Sequence, residues 1–149
     1  LKYFDESYIR SNIEGFIKSH HCAVEFPYTK FNFPEDGVNA LILDCCAAGS
    51  LLIGQEIDKK LINKDIKISI VNNDINILNG SNKTLVASLN DILFEFLLLA
   101  KKLNFDIKPG QFVSTGGLSD CIPLPLNEDL TIKHNNEPDK TKSFKIIKK

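Results

Sequence analysis

The 149 residues, 43% hydrophobic and 25% charged with a formal net charge of -1, have the composition of one globular domain with room for a core, which excludes disordered, collagenous and membrane-spanning classes. Acids and bases are interspersed, so no basic field for nucleic acid exists. The longest apolar runs, residues 41–43 and 97–100, fall far short of a bilayer span and no signal segment opens the chain, so no nucleic-acid or membrane partner and a cytoplasmic location are expected.

Asp5 is a cap for an amphipathic helix over residues 5–20, with Tyr8, Ile9, Ile13, Phe16 and Ile17 on its apolar face. Gly15 weakens that helix by about 1 kcal/mol relative to alanine. Adjacent His20 and His21 cannot share one helix face, so they are expected to serve the helix dipole rather than a metal. Residues 22–28 read as a strand stopped by Pro27, with Glu25 the one carboxylate among apolar neighbours. Residues 28–37 form a loop, and residues 38–53 are almost continuously apolar. They predict a buried helix, a break at Gly49-Ser50, and a strand ending at Gly54, with Asp44 as the sole charge.

Residues 65–77 alternate as a hairpin turning at Asn72-Asn73-Asp74, and Asn79 to Asn82 reads as a second turn. Ser88 and Asp91 then cap a long helix whose face is Leu89, Leu93, Phe96, Leu97, Ala100 and Leu103. Asn104 stops it, Pro109-Gly110 turns the chain, and residues 111–114 predict a short strand running into Thr115-Gly116-Gly117. Leu130, Ile132 and His134 alternate as one strand, and Phe144 and Ile146 as another. The order predicts an α+β domain with a mostly antiparallel or mixed sheet.

Three features carry candidate chemistry. Glu25 either points to solvent by strand alternation or is a metal ligand or proton-transfer group. Asp44, inside an apolar run, is either a structural acid satisfied by backbone N–H groups or an active-site acid. Ser114-Thr115-Gly116-Gly117 is either a β-turn or a loop whose open amides and hydroxyls take a small carboxylate. The cysteines, Cys22, Cys45, Cys46 and Cys121, show no Cys-x-x-Cys and no paired histidine spacing, which predicts free, buried thiols. The basic C-terminus, Lys140, Lys142, Lys145, Lys148 and Lys149, reads as a solvated edge. The sequence opens on Leu1 and contains no Met, so a missing N-terminal part is expected.

Ala23-Val24-Glu25 after a helix, Leu43-Asp44-Cys45, Leu51-Leu52-Ile53-Gly54, Asn79-Gly80, the long helix, and Ser114-Thr115-Gly116 followed by Ile122-Pro123-Leu124 come in an order that resembles 2-keto-4-pentenoate hydratases and 4-oxalocrotonate decarboxylases of the fumarylacetoacetate hydrolase superfamily. The resemblance implies that residues 1–149 form a single C-terminal catalytic-type domain, a mixed β-roll lacking its N-terminal part. It implies Mg²⁺ or Mn²⁺ with Glu25 as one of three acidic ligands, Asp44 as the catalytic acid, and Ser114, Thr115 and Gly116 as substrate-binding residues. The implied partner is a small-molecule 2-oxo acid, with a homo-oligomer among the assemblies allowed.

The implied reaction is addition of water to a 2-hydroxypenta-2,4-dienoate-like acid. Decarboxylation of a 2-oxo-3-enedioate, hydrolysis of an acylpyruvate, and a non-catalytic binding or assembly role are the alternatives. The departures are specific: no Glu-x-Glu precedes Glu25, Tyr28-Thr29-Lys30 stands where the family has Asp-Ser-Arg, Cys45 replaces an Asn, and Ala87 and Leu89 replace the Gly and Pro of the helix entry. A lysine does not reproduce a guanidinium fork. If the reading holds, Glu25, Asp44 and Thr115 converge on one cleft.

Overall fold

The long helix forms as its cap signature dictates. In the computed structural model, which describes residues 4–32, 34–139 and 141–147, the Ser88 hydroxyl accepts from the Asp91 backbone N–H at 3.1 Å and donates to the Asp91 carboxylate at 2.6 Å. Phe33 of the predicted loop, and Lys140, Lys148 and Lys149 of the basic C-terminus, lie outside the described residues.

In chain order the elements are α1 (Glu6–Ser11), β1 (His20–Phe26), α2 (Gly37–Leu43), β2 (Ser50–Ile57), β3 (Lys67–Asn72), β4 (Ile75–Ser81), α3 (Leu89–Lys102), β5 (Asp129–His134) and β6 (Lys142–Lys145), with short 3-10 turns at Ile13–Phe16, Lys59–Leu61 and Asn82–Thr84. Strands β1 and β2 pair as a ribbon and the other four form a sheet in the order β4-β3-β5-β6. Every described ladder is antiparallel. The chain is therefore α+β with antiparallel sheets.

Two apolar clusters hold this together. Phe94 and Leu97 of α3 enclose Ile9 of α1, which is wholly buried. On the sheet, Leu130, Ile132 and His134 point inward from β5, flanked by Ile70 and Val71 of β3. Arg10 fastens α1 to α3 from outside: its guanidinium lies 2.7 Å from the Asp91 carboxylate and 3.8 Å from the centroid of the Phe94 ring, an arrangement that combines ion pairing with cation–π attraction. The β3–β4 hairpin closes through Asn73 and Asp74, both with positive φ (46° and 62°), as a two-residue turn matched to strand twist requires.

Several expectations need correction. The helix predicted over residues 5–20 ends at Ser11, because the side chains of Ser11 and Asn12 bond back to the carbonyls of Ser7 and Tyr8 and compete with the helical ladder. His20 and His21 consequently open β1 rather than close a helix. α2 is not buried: Val38, Ile42 and Leu43 are exposed and only Ala40 is covered. It ends in three consecutive non-glycine residues with positive φ, Cys45, Cys46 and Ala47. Asn79 and Gly80 lie within β4 rather than in a turn, and Gly80 is a glycine because a Cβ there would come within 3.0 Å of the Leu118 carbonyl oxygen. Leu103, placed on the apolar face of α3, is exposed, whereas Phe94 is buried.

Strand β2 continues past Gly54 to Ile57 by way of a register shift opposite His21 and Ala23. A Cβ on Gly54 would stand 2.8 Å from the Cys22 carbonyl oxygen, so glycine permits this bulged approach. Residues 111–114, predicted as a short strand, form no strand and pair with none of the described strands.

The Ser88 hydroxyl, with Arg10 second, holds the Asp91 carboxyl below its ordinary value of 3.8. A carboxyl depressed in the folded state contributes stability above its unfolded pKa and loses that contribution as pH falls through the folded one. We expect Asp91→Asn to lower the melting temperature at pH 6, with the gap to wild type closing below pH 3.8. A gap independent of pH contradicts a role for the charge.

Candidate functional site: an open trough beneath the Thr-Gly-Gly loop

An open trough of ≈ 1930 Å³ is lined by the β1–β2 ribbon, by residues of β3, β4 and α3, and by the irregular segment 107–124. Its lining is mostly apolar, with Ile53, Ile68, Leu78 and Leu93 among the contributors.

The Ser114 hydroxyl donates to Glu25 Oε1 at 2.6 Å, joining residues 89 positions apart. Glu25 is an exposed position of β1 and lines the trough. Two residues earlier, the Phe112 ring meets the His21 imidazole edge-on, with centroids 6.0 Å apart. Residues 112–114 thus cross the ribbon, held by side chains instead of a ladder.

Beyond Ser114 the loop is pinned to the sheet. Thr84 donates to the Gly117 carbonyl at 3.0 Å, and the Ser81 N–H donates to the Leu118 carbonyl at 2.7 Å. Gly116 has φ +115° with Leu85 against its open side, a conformation that favours glycine and leaves the backbone bare. Thr115 and Gly116 both line the trough. The structure therefore brings Glu25, Ser114, Thr115 and Gly116 together.

Asp44 is elsewhere. It caps the C-terminus of α2 and does not line the trough; its Oδ2 is buried without a hydrogen-bond partner among the described residues. Sequence reasoning passed over Ser19 and assigned His21 to the helix dipole, yet both line the trough. Their spacing was the available signal, since residues i and i+2 of an extended chain share a face.

The acids fit a divalent cation poorly. A hard cation takes six or more oxygen ligands, several of them carboxylates, and no cluster of three or more His, Cys, Asp or Glu side chains that could hold a metal ion occurs among the described residues. Glu25, bridged to a hydroxyl, does not by itself make an Mg²⁺ or Mn²⁺ site.

The expectation of four buried thiols also changes: Cys45, Cys46 and Cys121 are exposed, and only Cys22 is partly covered. No described helix is long and apolar enough to cross a membrane.

An antiparallel α+β domain with a carboxylate-and-hydroxyl rim over an apolar trough is the class this chain represents. No family model and no curated protein matches the sequence. Among solved structures, the chain is similar to 4-oxalocrotonate decarboxylase from Pseudomonas putida G7, complexed with calcium and acetate in one case (TM-score 0.68) and with magnesium and adipate in another (TM-score 0.71). In both, identity is 13% and the match covers 85% of this chain and 48% of the other. The chain has their fold and spans about half their length.

Burial, with Glu137 adding to it, pushes the Cys22 thiol up to about 11. Because the thiolate is the nucleophile, iodoacetamide at pH 8 should modify Cys45, Cys46 and Cys121 at least about tenfold faster than Cys22. Peptide mapping that finds Cys22 among the first residues alkylated contradicts this placement.

Proposed function

We propose that this chain carries the substrate-binding trough of a lyase of the fumarylacetoacetate hydrolase superfamily, acting on a small 2-oxo acid. Hydration of a 2-hydroxypenta-2,4-dienoate-like acid and decarboxylation of a 2-oxo-3-enedioate fit equally, because both proceed through an enolate beside a carboxylate. The observation that carries the reading is the meeting of Glu25 with Ser114 at the mouth of the Thr-Gly-Gly loop, in a chain that shares the fold of 4-oxalocrotonate decarboxylase.

The roles follow from the donors and acceptors present. Thr115 offers a hydroxyl and Gly116 a bare backbone, which together suit a substrate carboxylate. Ser114 engages one oxygen of Glu25, leaving the other to accept a hydrogen bond or proton from the enol hydroxyl of the substrate. The apolar lining suits the carbon skeleton between them.

Superfamily chemistry on Mg²⁺ or Mn²⁺ would need further ligands, since Glu25, Glu56 and Asp120 line the trough but no group of three potential ligands comes together among the described residues. That same shortage favours a second reading, in which the trough binds a carboxylate without turnover.

Adipate, the dicarboxylate in one of the similar structures, is a suitable probe. Calorimetry should show binding to wild type, weakened about tenfold (about 1.4 kcal/mol) in Gly116→Ala, where a side chain strains the loop and crowds the carboxylate. Equal affinity in the two proteins contradicts the loop assignment. Turnover of 2-hydroxypenta-2,4-dienoate that rises with added Mg²⁺ supports the lyase, whereas adipate binding without turnover at any Mg²⁺ concentration supports the second reading.

A further inference from the structure

At the ribbon end of the trough, the Ser19 Oγ lies 2.9 Å from His21 Nε2, and His21 Nδ1 lies 2.9 Å from the Gly54 carbonyl oxygen. A carbonyl only accepts, so Nδ1 carries the proton of the neutral ring. Nε2 then presents a lone pair, and the Ser19 hydroxyl must be the donor. We propose that Ser19 and His21 form a nucleophile–base pair that transfers acyl groups from small esters.

The arrangement has the parts that an activated hydroxyl needs: a nucleophile within hydrogen-bond reach of a base, and a third group fixing the tautomer and orientation of that base. Here the third group is a backbone carbonyl in place of a carboxylate. Its position comes from the fold, since Gly54 stands in the irregular stretch of β2 where the register slips opposite His21 and Ala23. The close approach to Cys22 that only glycine allows therefore also sets the distance from the carbonyl to the ring.

Placement separates this pair from an ordinary surface contact. Both residues line the trough, and Phe112, 62% exposed, stands edge-on to the imidazole as an apolar wall for a short acyl chain. Neither residue bonds to Glu25 or Ser114, and the acyl-transfer inference does not require the lyase reading to hold.

In the reaction, Ser19 Oγ adds to the ester carbonyl carbon while its proton moves to His21 Nε2. The imidazolium returns that proton to the departing alkoxide or phenolate as the C–O bond breaks, leaving the acyl group on Ser19. Water repeats the sequence, so ester and water yield acid and alcohol with no oxidant or reductant.

The experiment treats the full chain with a fluorophosphonate probe and, separately, with p-nitrophenyl acetate. Mass spectrometry should find a single phosphonyl adduct on Ser19, absent in Ser19→Ala and formed about 100-fold more slowly in His21→Gln. No adduct on Ser19 in wild type, or an equal labelling rate in a His21→Gln protein that keeps the wild-type circular dichroism spectrum, overturns the proposal. Long-range ¹H–¹⁵N spectra of wild type provide a reading that needs no variant: a ring protonated at Nδ1 and bare at Nε2 supports it, and a neutral ring protonated at Nε2 overturns it.

Discussion

The hydrogen bond from Ser114 to Glu25 is the constraint on which this molecule's proposed chemistry depends. It links the first strand to a segment 89 residues later, and that segment has no strand partner to hold it otherwise. Without this contact and the neighbouring Phe112–His21 packing, the Thr-Gly-Gly loop would be tethered only from its far side, by Thr84 and Ser81. A charged acceptor makes such a bond stronger than a neutral one.

The trough is wider than a small ligand requires. Pockets for drug-sized molecules occupy about 300–1,000 Å³, and this one reaches ≈ 1930 Å³. Shape alone therefore does little to orient a five- or six-carbon acid. Under the proposed function, orientation would fall to the polar rim, where a substrate carboxylate would meet the loop. The Ser19–His21 pair lies toward the other end of the same ribbon, which gives the trough two chemically distinct polar stations along an apolar floor.

Much of the scaffold was legible in residue order. Ser88 and Asp91 announced the long helix because capping is local chemistry, the alternation of Ile66, Ile68 and Ile70 announced the hairpin, and Leu130, Ile132 and His134 announced one of the two inner strands of the sheet. What escaped was decided by tertiary context. The apolar run at Val38 to Leu43 reads as core, yet its helix lies on the surface. Gly80 reads as a turn glycine, yet it serves a close crossing by Leu118 inside a strand. The His20-His21 pair moved from helix to strand once Asn12 stopped the helix early.

The candidate site divides in the same way. Glu25 and the Thr-Gly-Gly loop were singled out separately, one as a stray charge and the other as a flexible tripeptide, and only the family resemblance placed them together. Asp44 stood out as the sole charge of an apolar run, the resemblance gave it a catalytic role, and it lies away from the trough. The most direct test of the account is a double-mutant cycle on adipate affinity with Glu25→Gln, Ser114→Ala and the double variant. If the two side chains act as one binding unit, the cycle should show a coupling energy of about 1 kcal/mol or more. Additive losses, with coupling near zero, would contradict it.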